Sequence, residues 1–241
     1  MNVRINGIKI IHSRFNRNKI KFISFSKYRK WNVFYAKFVC YSCHWESKNA
    51  LLGVFCFISW QSIAFQERFM AFYLWMFPLL FIFHDMEEII GLVPWIHLNK
   101  TLLAQKAPTI LKIHKEMTTE GFALAVFEEF ILVLSITLLA YFTQSRTLEL
   151  VWLGGFVAFA LHLLLHIGQS ILLRKYIPAL ITSILCFPIS AYLIIDIVHL
   201  WQVSTSEFFL FSLVGSGIVV INLLFALWLG KKYSAWLAHN H

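Results

Sequence analysis

The sequence predicts an all-α protein, a polytopic transmembrane helical bundle of five spans with a shorter sixth candidate. Three observations carry this prediction. The chain is 59% hydrophobic and only 14% charged, where ordinary globular chains carry about a quarter charged residues. Several apolar runs approach the ~20 residues that cross a bilayer as a helix. The connections between those runs alternate between basic and non-basic, as the two sides of a membrane require. This composition excludes an ordinary soluble domain.

Residues 1–50 form a basic N-terminal segment. It holds eleven Lys or Arg against one acid, Glu46, so it carries +10 of the chain's net +9 and leaves −1 for the rest. A basic, aromatic-rich tail is compatible with nucleic acid or acidic lipid. The simpler reading is a cytoplasmic leader held inside by its charge, with no nucleic-acid partner expected. The segment shows no convincing periodicity, and its Asn/Lys/Ile/Phe/Ser usage resembles translated non-coding sequence. A misassigned start, with Met70 as the alternative initiator, is therefore a further expectation. No secretory signal of the usual form is present, because the apolar runs begin too late.

Cys40-Tyr-Ser-Cys43-His44 matches the Cys-x-x-Cys-His pattern of c-type haem attachment. Covalent haem at Cys40 and Cys43 is not expected, because haem attachment belongs on the oxidising face while basic surroundings place this segment on the other. Cys56 and Cys186 lie in apolar runs, where free cysteine behaves as a small hydrophobe.

The run 51–65 is short for a span and reads as an extra crossing or an interfacial piece. Residues 70–231 form the helical membrane domain, with spans at about 70–93, 120–143, 150–173, 177–200 and 208–230. The connection 94–119 carries Lys100, Lys106, Lys112 and Lys115. The next, 144–149, balances Arg146 with Glu149. Arg174 and Lys175 mark the third, 201–207 has no Lys or Arg, and Lys231 and Lys232 end the last span. The 94–119 loop and the short tail 232–241 are thus expected to be cytoplasmic. Within that loop Pro108 breaks a helix. Its Leu102, Leu103, Ile110, Leu111 and Ile113 predict an amphipathic piece, lying on the inner surface or packed on the bundle. Thr118 and Thr119 before Glu120 mark a helix start. Gly154-Gly155 permits close helix approach, and Pro188 is expected to kink its span.

Into the first span, otherwise free of charge from Ala71 to Phe83, the sequence inserts His84-Asp-Met-Glu-Glu88. Ionisable groups inside a membrane are costly and mark functional sites by default. At ~1.5 Å per residue, His84 lies about 15 Å and Glu87 about 10 Å from the inner end of their helix. Glu128 and Glu129 fall roughly 12–14 Å in, His162 and His166 about 18 and 12 Å, and Asn222 about 12–14 Å. Residues far apart in sequence thus converge on one layer in the cytoplasmic half. His84, Glu87 and Glu88 share a helix face, as do His162 and His166. Glu128 and Glu129 are ~100° apart, so one of them faces the centre.

Three imidazoles and two or three carboxylates suit a divalent metal such as Zn or Fe. The metal ligands expected are His84, His162 and His166 with Glu87 or Glu128. Glu88, with Glu87 as the other candidate, would act as general base on a metal-activated water. A proton relay through the same groups is the alternative, and a purely structural hydrogen-bonded cluster the third reading. Asp196 and His199 lie near the outer end of the fourth span, where exposure accounts for them. His239 and His241 read as solvated.

His84-Asp-Met-Glu-Glu88 resembles the signature of the HXXEE-domain family of bacterial membrane proteins. The likeness continues in Thr119-Glu-Gly-Phe-Ala-Leu-Ala-Val-Phe-Glu-Glu129, in His162-Leu-Leu-Leu-His166 and in Arg174-Lys-Tyr-Ile-Pro178 through Pro188. It covers roughly residues 72–230 and none of the first fifty. The resemblance implies a compact multi-span helical protein and leaves its reaction open. The expectation is a metal-dependent membrane enzyme, hydrolytic or oxidative, on an apolar or lipid-like substrate. Membrane lipid is the one partner the sequence implies. The alternatives are a proton-coupled transporter or channel and a non-catalytic structural membrane protein.

Overall fold

The computed structural model describes the backbone of residues 3–5, 8–12, 21–24 and 50–240, and the side chains of residues 70–240. It divides into two units, Met1–Phe69 and Met70–His241. The first contains a three-stranded antiparallel sheet, β1 (Val3–Ile5), β2 (Ile8–His12) and β3 (Lys21–Ser24), with Arg4 opposite Lys9 and Ile10 opposite Ile23. The sequence reading did not anticipate these strands. At three to five residues each, they lie at or below the short end of the roughly 4–8 residues over which alternation is read. The Cys40–Cys43 motif lies outside the described residues.

The second unit is helical. Its elements are α1 (Ala50–Leu98, entering from the first unit), α2 (Lys100–Lys106), α3 (Pro108–His114), α4 (Thr119–Thr143), α5 (Arg146–Leu173), α6 (Leu180–Leu200) and α7 (Thr205–Asn240). Among the described residues, α4, α5, α6 and α7 are long and apolar enough to cross a membrane. The 70–93 segment of α1 is a fifth helical stretch of membrane length, set apart by its three carboxylates. This is a multi-pass helical membrane architecture. Large apolar side chains such as Leu165, Ile171, Leu213 and Ile221 face outward, as a lipid solvent allows and water would penalise.

Local chemistry explains the helix boundaries. The Thr118 hydroxyl accepts from Gly121 N at 3.1 Å and caps α4. Pro108 sits in the first turn of α3, where its missing N–H costs nothing, and Ala107 separates α3 from α2. Leu103 packs with Ile96, Leu173 and Ile177, joined by Ile110 and Leu111, so the amphipathic loop packs on the bundle through these residues. Helix α7 continues past Lys231-Lys232 to Asn240, longer than the predicted span. Its last two turns lack the apolar continuity by which a span is read.

Ser204 and Glu207 form a capping box at the start of α7. Ser204 N and its hydroxyl each donate to Glu207 Oε2 at 2.9 Å, and Glu207 N donates to Ser204 Oγ at 3.3 Å. Arg146 Nη2 donates to the same carboxylate at 3.2 Å. The Ser204 N–H and hydroxyl, with Arg146 adding its charge, hold the Glu207 carboxyl below its ordinary value. A depressed carboxylate pKa means this contribution is present above the unfolded value and is lost as pH falls through the folded one. Thermal melts in detergent from pH 7 to pH 3 should therefore show the wild type losing an advantage over Glu207→Gln at acid pH. Parallel curves would refute this role.

The core is an aromatic layer where α1 meets α5. Phe77 lies 5.9, 5.2 and 5.7 Å, ring centre to ring centre, from Trp152, Phe156 and Phe159. Trp152 Nε1 donates to Thr137 Oγ1 at 3.0 Å, and Thr137 donates to Val133 O at 2.8 Å, so the buried indole N–H is satisfied. Tyr73 donates to Asp196 and ties α1 to α6. Asp196 is thus hydrogen-bonded between helices. Helix α7 packs against both α5 and α4 through glycines. A Cβ on Gly154 would run into Phe211 O, and one on Gly230 would stand 2.5 Å from Gly121 O of α4. These contacts fix α5 in place and, with it, two histidines one turn apart.

Candidate metal centre

Below the aromatic layer, α1 and α5 present four of the polar residues to one another. His84 is fully buried and its ring meets the edge of Phe159 at 5.8 Å. His162 and His166, i and i+4 on α5, meet edge to face with ring centres 4.4 Å apart. His84 lies 5.3 Å from the first ring and 5.2 Å from the second. Glu88, buried one turn beyond His84, has a carboxylate oxygen 2.7 Å from His166 Nε2 and 3.7 Å from His162 Nε2. His166 Nε2 and His162 Nε2 are 2.9 Å apart.

One ligand atom from each of His84, Glu88, His162 and His166 falls within 4.8 Å of the other three. This group could hold a metal ion. The chemistry of the donor set fits one: imidazole nitrogens and a carboxylate suit Zn or Fe. A second observation agrees. His84 Nε2 is buried with no hydrogen-bond partner, and an orphaned buried polar atom costs about 1–3 kcal/mol. A cation at the centre would satisfy it.

The remaining predicted site residues lie elsewhere. Glu87 faces the start of α6: its Oε1 accepts from Tyr176 OH at 2.7 Å and Ile181 N at 3.4 Å. Its Oε2 accepts from Thr182 N at 2.8 Å and from the Thr182 hydroxyl at 2.7 Å. The first N–H groups of a helix lack intrahelical partners, so Glu87 caps α6 from a neighbouring helix, where the macrodipole also favours its charge. Outside the membrane-spanning segments, burial pushes the Tyr176 hydroxyl up to about 12, with Glu87 adding to the effect, so Tyr176 remains a donor. Glu128 accepts from Asn222 Nδ2 of α7 at 3.0 Å. These two predicted neighbours in depth therefore meet each other and stand outside the four-residue group. Its neighbour Glu129 is within electrostatic reach of His162 and Glu88.

The connection from α5 to α6 is shaped to deliver Thr182. Arg174 and Ala179 take left-handed backbone angles, φ 51° and 76°, and Pro178 packs on Gly91, where a Cβ would approach Pro178 Cβ to 2.8 Å. Thus Glu87 and Gly91, one turn apart on α1, both grip this turn. Sequence reasoning missed Thr182 and Tyr176, because a polar residue at a helix start reads as ordinary capping. It also gave no role to Asp85, which is buried with Oδ2 lacking a hydrogen-bond partner.

Comparison with known families places residues 75–193 in a match to a family described as a protein of unknown function with HXXEE motif. The matched region contains all four residues of the group, as well as Glu87 and Thr182. No curated protein and no solved structure matches the chain.

Proposed function

Since residues 75–193 of this chain are an HXXEE domain, we propose that the protein is a metal-dependent enzyme of the bacterial inner membrane. It would hydrolyse, in preference to oxidising, an apolar or lipid-like substrate. The observation that carries this reading is the convergence of His84, Glu88, His162 and His166 within 4.8 Å inside a helical bundle. His84, His162 and His166 would hold a divalent ion, Zn or Fe, through their Nε2 atoms. Three protein ligands with a position left open is the arrangement of catalytic sites, and the ion would supply Lewis acidity and a water of lowered pKa. Glu88, beside His166, would take the proton from that water as general base. Glu87 and Glu128 lie outside the four-residue group, each accepting from a donor on another helix, which supports assigning the ligand role to the histidines.

Exposure supports the lipid-like substrate class. His84 is closed off and His166 nearly so, whereas the His162 side chain is 41% exposed among outward-facing Leu161, Leu164 and Leu165. A group opening beside leucines on the lipid-facing side of α5 suits an acyl chain arriving within the membrane. The alternating basic loops support a position for the group in the cytoplasmic half, with the C-terminus in the cytoplasm.

Protein purified into nanodiscs without chelator should contain stoichiometric metal, lost in His84→Ala and His162→Ala. Glu88→Gln should keep the metal and lower hydrolysis of long-chain acyl esters by about 10²–10⁴-fold, the usual worth of a general base. Metal lost from Glu88→Gln would make Glu88 a ligand instead. Metal-free wild-type protein would end the reading. The direct contact of His166 with both His162 and Glu88 favours a proton relay as the second reading. Its sign would be pH-dependent flux in liposomes abolished by Glu88→Gln.

A further inference from the structure

We infer that Thr182 and Glu87 form a positioning relay that sets which nitrogen of His84 carries the proton. This inference rests on the metal reading of the group and adds residues to it. A threonine hydroxyl has one proton to donate and two lone pairs to accept with. Thr182 Oγ1 lies 2.7 Å from Glu87 Oε2, 3.0 Å from His84 Nδ1 and 3.3 Å from Ala179 O. A carboxylate already receiving Thr182 N, Ile181 N and Tyr176 OH is an acceptor, so the short contact to it must use the hydroxyl proton. Charge-assisted bonds are also the stronger choice over the more distant carbonyl.

With its proton committed to Glu87, Thr182 can only accept from the histidine. His84 therefore carries its proton on Nδ1 and leaves a lone pair on Nε2. That nitrogen is the one buried without a hydrogen-bond partner, and His84 contributes one ring nitrogen to the group with His162, His166 and Glu88. The hydroxyl's donor count sets the tautomer, and the orphaned Nε2 is the nitrogen it leaves with a lone pair for an ion. The arrangement is a carboxylate–hydroxyl–histidine chain, the hydroxyl-bridged counterpart of the carboxylate–histidine pairs that orient metal ligands. Because Glu87 is itself held by the start of α6, the ring of His84 is fixed from outside its own helix.

The test uses the full chain in nanodiscs, with ¹⁵N-histidine labelling and His84 assigned by loss of its signals in His84→Gln. In metal-free wild type, the His84 resonances should show a protonated Nδ1 and an unprotonated Nε2. In Thr182→Val they should shift toward the other tautomer or a mixture. Co(II), followed by its visible bands, should bind Thr182→Val about 10–100-fold more weakly than wild type. Thr182→Ser, which keeps the hydroxyl, should stay within about threefold of wild type, well inside that loss. Loss of the α6 cap alone would lower thermal stability without moving the tautomer. A protonated Nε2 in the wild type overturns the relay whatever the metal does. Equal Co(II) affinity in wild type and Thr182→Val also overturns it. If the wild type shows the Nδ1 proton and binds no Co(II), the metal reading fails and the positioning role falls with it.

Discussion

Replacing Gly215 with leucine is expected to leave no recoverable folded protein, while the same change at Gly217, half a turn along α7, is expected to be tolerated. At Gly215 a Cβ would run into Gly154 C and Gly155 N, and would stand 2.7 Å from Gly154 Cα. These are backbone atoms of α5 and cannot rotate away as a side-chain tip would. The two helices would have to separate along their crossing, at a cost above the ~1–3 kcal/mol of ordinary overpacking. In a membrane, lipid tails are as apolar as leucine, so close packing is what holds helices together. The damage would reach the site, because α5 carries His162 and His166. At Gly217 nothing lies within 4 Å of the added Cβ, and a substitution there should fall within about 0.5 kcal/mol of wild type. Yield of monodisperse protein and thermal midpoint in detergent check both variants. Equal behaviour of the two leucine variants would show that the α5–α7 crossing is not a backbone contact.

The helices were legible because a membrane span announces itself by length and apolar continuity, which need no knowledge of neighbours. The α4 start at Thr119, and the α4 and α5 ends at Thr143 and Leu173, fall where the apolar runs begin or end. Much of the site was legible for a related reason. Depth along a helix is a linear function of residue number, so His84, His162 and His166 could be placed in one layer from spacing alone.

Rotation about the helix axis is a different quantity, and there the reading ran out. At ~100° per residue, Glu87 and Glu88 stand on opposite flanks of His84, about 60° to one side and 40° to the other. Which flank meets α5 and which meets α6 depends on where those helices pack, and nothing in α1 encodes it. The structure turns Glu88 to the histidines and Glu87 to the start of α6. Glu128 and Glu129 pose the same question, and Asn222 of α7 engages Glu128. Thr182 was illegible for a further reason: its importance lies in having two partners from α1, both of which are distant in sequence.

Saturating Zn²⁺ should stabilise the wild-type protein and leave the histidine variants unmoved. The metal-free group leaves two buried ring nitrogens, His84 Nε2 and His166 Nδ1, without hydrogen-bond partners. An ion held by three converging imidazoles would satisfy the first of these. Anything that binds the folded state alone stabilises it by RT ln(1 + [L]/Kd), about 2.7 kcal/mol at one hundred times Kd. For a chain of this length that is a rise of roughly 5–10 °C in Tm, at ~2–4 °C per kcal/mol. His84→Ala and His162→Ala should each abolish most of the rise, whereas Glu128→Gln, which changes a carboxylate outside the group, should retain it. Because ligands must be deprotonated to bind, the rise should shrink as pH falls below the imidazole range. A Zn²⁺-induced shift of equal size in wild type and His84→Ala would place the ion elsewhere on the chain. No shift in any variant would turn the four converging residues back into a hydrogen-bonded cluster that joins α1 to α5.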